Sequence, residues 1–175
     1  LEFYAALAQR AESEIRGPKQ DAWHQRLDAE RENILLAFSH ARRAPGGGAA
    51  GLTLLHGLNL WITLGNYEFW RGVALEALAH PDAQQEDLMR SRALCPAVMI
   101  AYATGRYEEA FALAQSSVRI ARGCGDLLAL GEALHNLGCA ATAIGREADA
   151  CEYYVEGLAV ARQVGAPSLL ASLSN

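Results

Sequence analysis

Apolar residues return at helical spacing along almost the whole chain. In residues 1–16 they stand at Leu1, Tyr4, Leu7, Ala8, Ala11 and Ile15, one stripe of an amphipathic helix. Gly17-Pro18 ends that run and opens the next, because proline suits a first helical turn. Residues 19–43 read as one long helix, with Trp23, Leu27, Glu30, Ile34 and Phe38 near helical spacing and Leu35, Ala37 and Ala41 widening the apolar side. The glycine-rich stretch 44–51 then predicts a flexible break.

Past that break the pattern recurs. Helix pairs are expected at 49–64 with 67–79, at 83–104 with 107–122, and at 127–144 with 147–164. Gly65, Gly105 and Gly145 mark a period of 40 residues, and each is followed by Asn or Arg and a helical run. His80-Pro81-Asp82 separates the first two pairs, with Asp82 expected as an N-cap. Gly123-Cys124-Gly125-Asp126 separates the next two, and Gly165-Ala166-Pro167 closes the third. A fixed period in this range means stacked units rather than a single core. Strand-like alternation is absent. The pattern therefore predicts an all-α fold, a right-handed superhelix of antiparallel helix pairs. Its expected parts are a leading helical pair or linker at 1–45, three long-period repeats at about 46–82, 83–124 and 125–166, and the truncated start of a further repeat at 167–175.

Composition sharpens this reading. The chain holds 34 alanines, a density that suits helices packed closely on helices. Net charge is −5, and the deficit falls wholly after residue 45, where 13 acidic face eight basic side chains. A duplex-binding surface must neutralise phosphates, so direct nucleic-acid contact is not expected. Four cysteines without a CxxC pair, no signal peptide and no membrane-length apolar run make a cytoplasmic protein with reduced thiols the expectation. Leu169, Leu170 and Leu173, at the edge of a cut repeat, are expected to be open and to favour dimerisation.

The small and large positions within each repeat carry a resemblance. The third repeat supplies Leu134, Leu137-Gly138, Ala141, Ala150, Tyr154 and Gly157. The second supplies Leu94, Ala97-Val98, Ala101, Ala110, Ala114 and Ser117. The first supplies Leu54, Gly57-Leu58, Trp61, Trp70, Ala74 and Ala77. These resemble the tetratricopeptide signature, though the period is longer than the usual one of about 34 residues. Residues 5–41 in turn resemble the helical stretch that follows the ATPase and winged-helix modules of MalT-like, LuxR-type and AfsR-like bacterial regulators. That resemblance implies a non-catalytic sensor or scaffold arm of an ATP-dependent transcriptional regulator. Its partners would be the upstream ATPase domain and a protein, peptide or small effector. The segment itself has no GxxxxGK[ST] motif, so any ATP would be bound in an upstream domain and no cofactor is expected here.

In such a fold the first helix of each pair lines the concave face. The positions expected there are Leu52, Leu55, His56, Asn59 and Ile62, then Arg92, Cys95, Met99 and Tyr102, then Glu132, His135, Asn136, Cys139 and Thr142. Candidate ligand contacts are Asn59, Arg92, Met99, Tyr102, His135, Asn136 and Cys139, with Arg92 and Asn136 as hydrogen-bond anchors. Pro96 inside its helix predicts a kink beside them. Two alternatives stand beside this reading. One is a generic tetratricopeptide scaffold unrelated to transcription. The other, of a different class, is a metal- or thiol-based sensor or enzyme using Cys95, His135 and Cys139, with Cys95 expected beside His135. No arrangement of side chains points to catalysis.

Overall fold

The computed structural model describes residues 1–15, 17–62 and 66–173, and among these it contains eleven α-helices, one short 3-10 turn and no strand. The fold is all-α. Expectations for Arg16, Leu64, Gly65, Ser174 and Asn175 lie outside the described residues. The chain forms two compact units, Leu1–Gln85 and Glu86–Asn175.

The first unit comprises α1 (Glu2–Glu14), α2 (Gln20–Ala29), α3 (Arg31–Arg43), α4 (Gly47–Gly57), α5 (Asn59–Ile62) and α6 (Tyr67–Ala79), then the 3-10 turn Pro81–Ala83. The single helix expected at 19–43 is divided at Glu30 into α2 and α3. No glycine or proline causes this. The Glu30 carboxylate instead accepts from Tyr4 Oη of α1 and Asn33 Nδ2, both at 2.8 Å, which ties the junction to the neighbouring helix. The expected flexible break at 44–51 is also corrected, because α4 begins at Gly47. Only Gly46 keeps a turn role, at φ 72°. A Cβ on Gly47 would stand 2.0 Å from the Ala41 carbonyl oxygen, and one on Gly48 would stand 2.7 Å from the Ala83 nitrogen. Those glycines are required by close packing, not by flexibility.

Asp82 does not cap the following helix. It sits in the 3-10 turn and accepts from the Gly46 N–H at 2.7 Å, pinning the turn to the start of α4. The core of this unit is built on Trp70, whose ring meets Phe38, Trp61 and Phe69 edge-on at centroid distances of 5.9, 5.4 and 5.3 Å. Two of the indole N–H groups find carboxylate partners, as buried aromatics favour. Trp61 donates to Asp28 at 2.9 Å and Trp23 to Glu14 at 3.2 Å.

The second unit comprises α7 (Leu88–Ala103), α8 (Tyr107–Cys124), α9 (Leu127–Ala143), α10 (Glu147–Val164) and α11 (Pro167–Leu173). The helix expected from residue 83 starts five residues later, capped by Asp87, whose Oδ1 accepts from the Arg90 N–H. The punctuation is periodic. Gly105 and Gly145 close α7 and α9, and Gly125 and Gly165 close α8 and α10, all at φ between 67 and 76°. Asp126 caps α9, and Pro167 opens α11.

Consecutive helices pack antiparallel. Ser91 near the start of α7 and Ser117 near the end of α8 exchange hydrogen bonds, each hydroxyl donating to the other's carbonyl at 3.0 and 2.9 Å. Ala110, Ala114, Ala121, Ala133, Ala140, Ala141 and Ala150 fill the seam with Phe111, Leu134 and Leu137. α7 continues unbroken past Pro96, which is buried. Its ring nitrogen leaves the Arg92 carbonyl without the usual donor. The apolar edge expected at 169–173 is folded in: Leu169 and Leu173 are buried against α9 and α10 rather than open.

Candidate functional site

Because α7 and α9 are the first helices of successive pairs, they pack side by side and share one face. Small residues at the helix contacts bring α9, α10 and α11 close. A Cβ on Gly138 would meet the Tyr154 ring at 2.4 Å, and one on Gly157 would meet Leu173 at 3.0 Å. What remains on the opposite side is the candidate face. From α7 it takes Arg92 and Cys95, half-buried, and Met99 and Tyr102, exposed by 42 and 40%. From α9 it takes Glu132, His135, Asn136 and Cys139, half-buried, and Thr142, exposed. Six of the seven candidate contacts thus lie in this unit.

The polar groups differ in what holds them. Arg92 leans on Asp126 at 3.4 Å, the residue that also caps α9, so it fixes one helix start against the other. Tyr102 stacks edge-on with Tyr107 at 5.4 Å. Cys95 turns its sulfur inward, 3.8 Å from the Ser91 carbonyl and 4.0 Å from Ser117 Oγ, and burial pushes its thiol up to about 12. Its facing groups include Glu132 and Asn136.

Cys139 is placed differently. One helical turn beyond His135, its Sγ lies 3.8 Å from the imidazole Nε2. Burial resists its ionisation, but hydrogen bonds from His135 and Tyr154 and the imidazolium charge outweigh that and lower the thiol pKa. His135 is raised in turn, first by the Cys139 contact, with burial opposing. Tyr154, its ring 6.4 Å from that of His135, is pushed up to about 12, chiefly by burial. It therefore stays protonated across the neutral range.

Among the described residues no group of three or more His, Cys, Asp or Glu side chains could hold a metal ion. The structure joins Cys139 to His135 and leaves Cys95 with the two serines.

The first-repeat positions are corrected. Leu52 and Leu55 are buried because α1 covers α4, where a Cβ on Gly57 would stand 2.6 Å from the Ala8 backbone, and Ile62 of α5 is buried as well. Asn59 is half-buried with an Oδ1 that has no partner. His56 has Glu12 Oε1 2.9 Å from its Nε2, out of line for a hydrogen bond.

One feature was missed from the sequence. Between α3, α4 and α6 lies a half-open apolar pocket of about 200 Å³, lined by Leu35, Phe38, Phe69, Val73 and Ala77, with His80 and the Arg42–Glu76 pair among its walls. The glycines of α4 form its floor. Read as a linker, they concealed it.

No curated protein and no solved structure matches the chain. Residues 90–163 match the family model described as tetratricopeptide repeat, a span that runs from α7 almost to the end of α10. With the alanine-filled seam and the repeated glycine stops, that match supports a tetratricopeptide repeat region at residues 90–163.

Proposed function

We propose that the α7–α9 face binds a peptide segment of a partner protein. Tetratricopeptide repeats in general mediate protein–protein interaction, and such folds are typically non-catalytic scaffolds. The observation that supports this face is its mixture. Met99 and Tyr102 stand exposed beside Asn136 and Arg92, while the small residues of the same helices are spent on internal packing. Apolar anchors with a few convergent polar groups are what an extended peptide needs. The test is selection of binders from a random peptide library on the 175-residue chain, then measurement on a Met99→Ser, Asn136→Ala double variant. Binding should weaken at least about tenfold, the scale of one anchor residue. Binders indifferent to both changes would overturn the assignment.

We infer further that the chain serves as the sensor arm of an ATP-dependent bacterial transcriptional regulator, a reading supported by the likeness of residues 5–41 to the helical stretch of such regulators. Occupancy of the face would bias contact with an upstream ATPase, a shift of population rather than chemistry. Reading the open frame upstream tests it. A P-loop and winged helix are expected; further repeats alone would overturn the regulator reading and leave the peptide-binding face standing.

A further inference from the structure

We propose that Cys139 is a modification site on this face, a thiol that reacts with hydroperoxides and soft carbon electrophiles ahead of the other three cysteines, with His135 as acceptor of its proton. The geometry carries the assignment. Cys139 is half-exposed, its sulfur stands 3.8 Å from the imidazole Nε2, and both groups ride on one rigid helix with a fixed four-residue offset. Their surroundings favour the ion pair. The Tyr154 hydroxyl of α10 favours the thiolate, and Thr142 of α9 and Tyr102 of α7 are the groups that act on the Tyr154 phenol. Asn136 and the Ser172 backbone of α11 hold His135 in its charged form.

The other cysteines lack this setting. Cys95 turns its sulfur toward Ser91 and Ser117, with no imidazole beside it among the described residues, and burial pushes its thiol up to about 12. Cys124 is exposed with its sulfur 3.8 Å from the Glu86 carbonyl oxygen, an acceptor that cannot take its proton. Cys151 is exposed on α10, next to Glu152 and one turn from Glu147, with no imidazole on either side in sequence.

The chemistry closes. The thiolate attacks one oxygen of the hydroperoxide, an S–O bond forms and the O–O bond breaks. The sulfur is oxidised to sulfenic acid, and the departing hydroxide or alkoxide takes the proton from His135 to leave as water or alcohol. With an alkylating probe the S–C bond forms as the halide departs. Either product adds a polar or bulky group between Met99, Tyr102 and Asn136, where it would alter the face.

The test is competitive alkylation of the folded chain with iodoacetamide near pH 6.5, each cysteine followed by peptide mass spectrometry. For each pH unit by which a thiol ionises earlier, thiolate rises tenfold while intrinsic nucleophilicity falls by about threefold. Cys139 should therefore outpace Cys124 and Cys151, by about threefold for each pH unit by which it ionises earlier, although both are more exposed. The lead should vanish in urea and shrink in His135→Gln, and Tyr154→Phe should reduce it independently. Hydrogen peroxide with dimedone trapping should label the same residue. A Cys139 rate at or below those of the two exposed thiols would overturn the proposal. A lead untouched by His135→Gln would overturn the part given to His135.

Discussion

At the scale of single residues, glycines divide into those the packing demands and those it ignores. A methyl at Gly57 would press on the Ala8 carbonyl carbon and oxygen at 2.6 Å, atoms of a helix backbone that cannot swing away. Gly57→Ala gains about 1 kcal/mol of helix propensity but meets an overpacking cost of about 1–3 kcal/mol. The first unit should lose stability. At Gly72 of α6 nothing lies within 4 Å, so Gly72→Ala should stabilise by about 0.5–1 kcal/mol. Urea denaturation followed by tryptophan emission reads both, and a midpoint that moves the same way in the two variants would contradict the packing argument. Residue identities in the second unit were legible for the same reason: Gly138 and Gly157 recur at the positions where helices touch. The His135–Cys139 contact was legible too, since four residues is one turn. The partner of Cys95 was not, because its inward rotation depends on a serine clasp between α7 and α8 that no local spacing announces.

At the scale of elements, helix type and stops could be read wherever the stop is chemical. The αL glycines at 105, 125, 145 and 165 end helices by their own conformational freedom. The break at Glu30 was hidden, since it rests on a carboxylate gripped by Tyr4 from another helix. The start of α4 was hidden because glycines chosen for contact look like glycines chosen for flexibility. Pro96 tests how far a helix tolerates an internal conflict. Pro96→Ala restores an N–H for the Arg92 carbonyl and removes a clash worth about 3 kcal/mol, while giving up a small buried ring and some rigidity of the unfolded chain. The second unit should gain about 1–2 kcal/mol, seen as a higher urea midpoint by circular dichroism. A lower midpoint would mean that packing of the prolyl ring outweighs the missing hydrogen bond.

At the scale of the whole molecule the two units differ in how they hold charge, and the difference gives each its own response to acid. In the first unit three carboxylates are held below their usual range: Glu14 by Lys19 and Trp23, Asp28 by Trp61 and Arg31, and Glu30 by Asn33 and Tyr4. In the second unit Glu86 is likewise lowered, held by Arg119. A group whose pKa is depressed by folding adds stability that is full above its unfolded value and is lost as pH falls through its folded one. The window therefore opens near pH 4.5 and extends downward. Within it the first unit loses the hydrogen bonds of Glu14, Asp28 and Glu30, and two of them belong to the indoles of Trp23 and Trp61. All three tryptophans, at 23, 61 and 70, lie in that unit, so their emission reports it alone. On acid titration the emission change should coincide with an early, partial loss of helical ellipticity, and the remaining helix should melt at lower pH. Asp28→Asn keeps an acceptor for Trp61 but removes the titrating charge, so it should shrink the early step. One coincident transition by both probes, unchanged in that variant, would mean that the units share their acid stability and that these carboxylates do not set it.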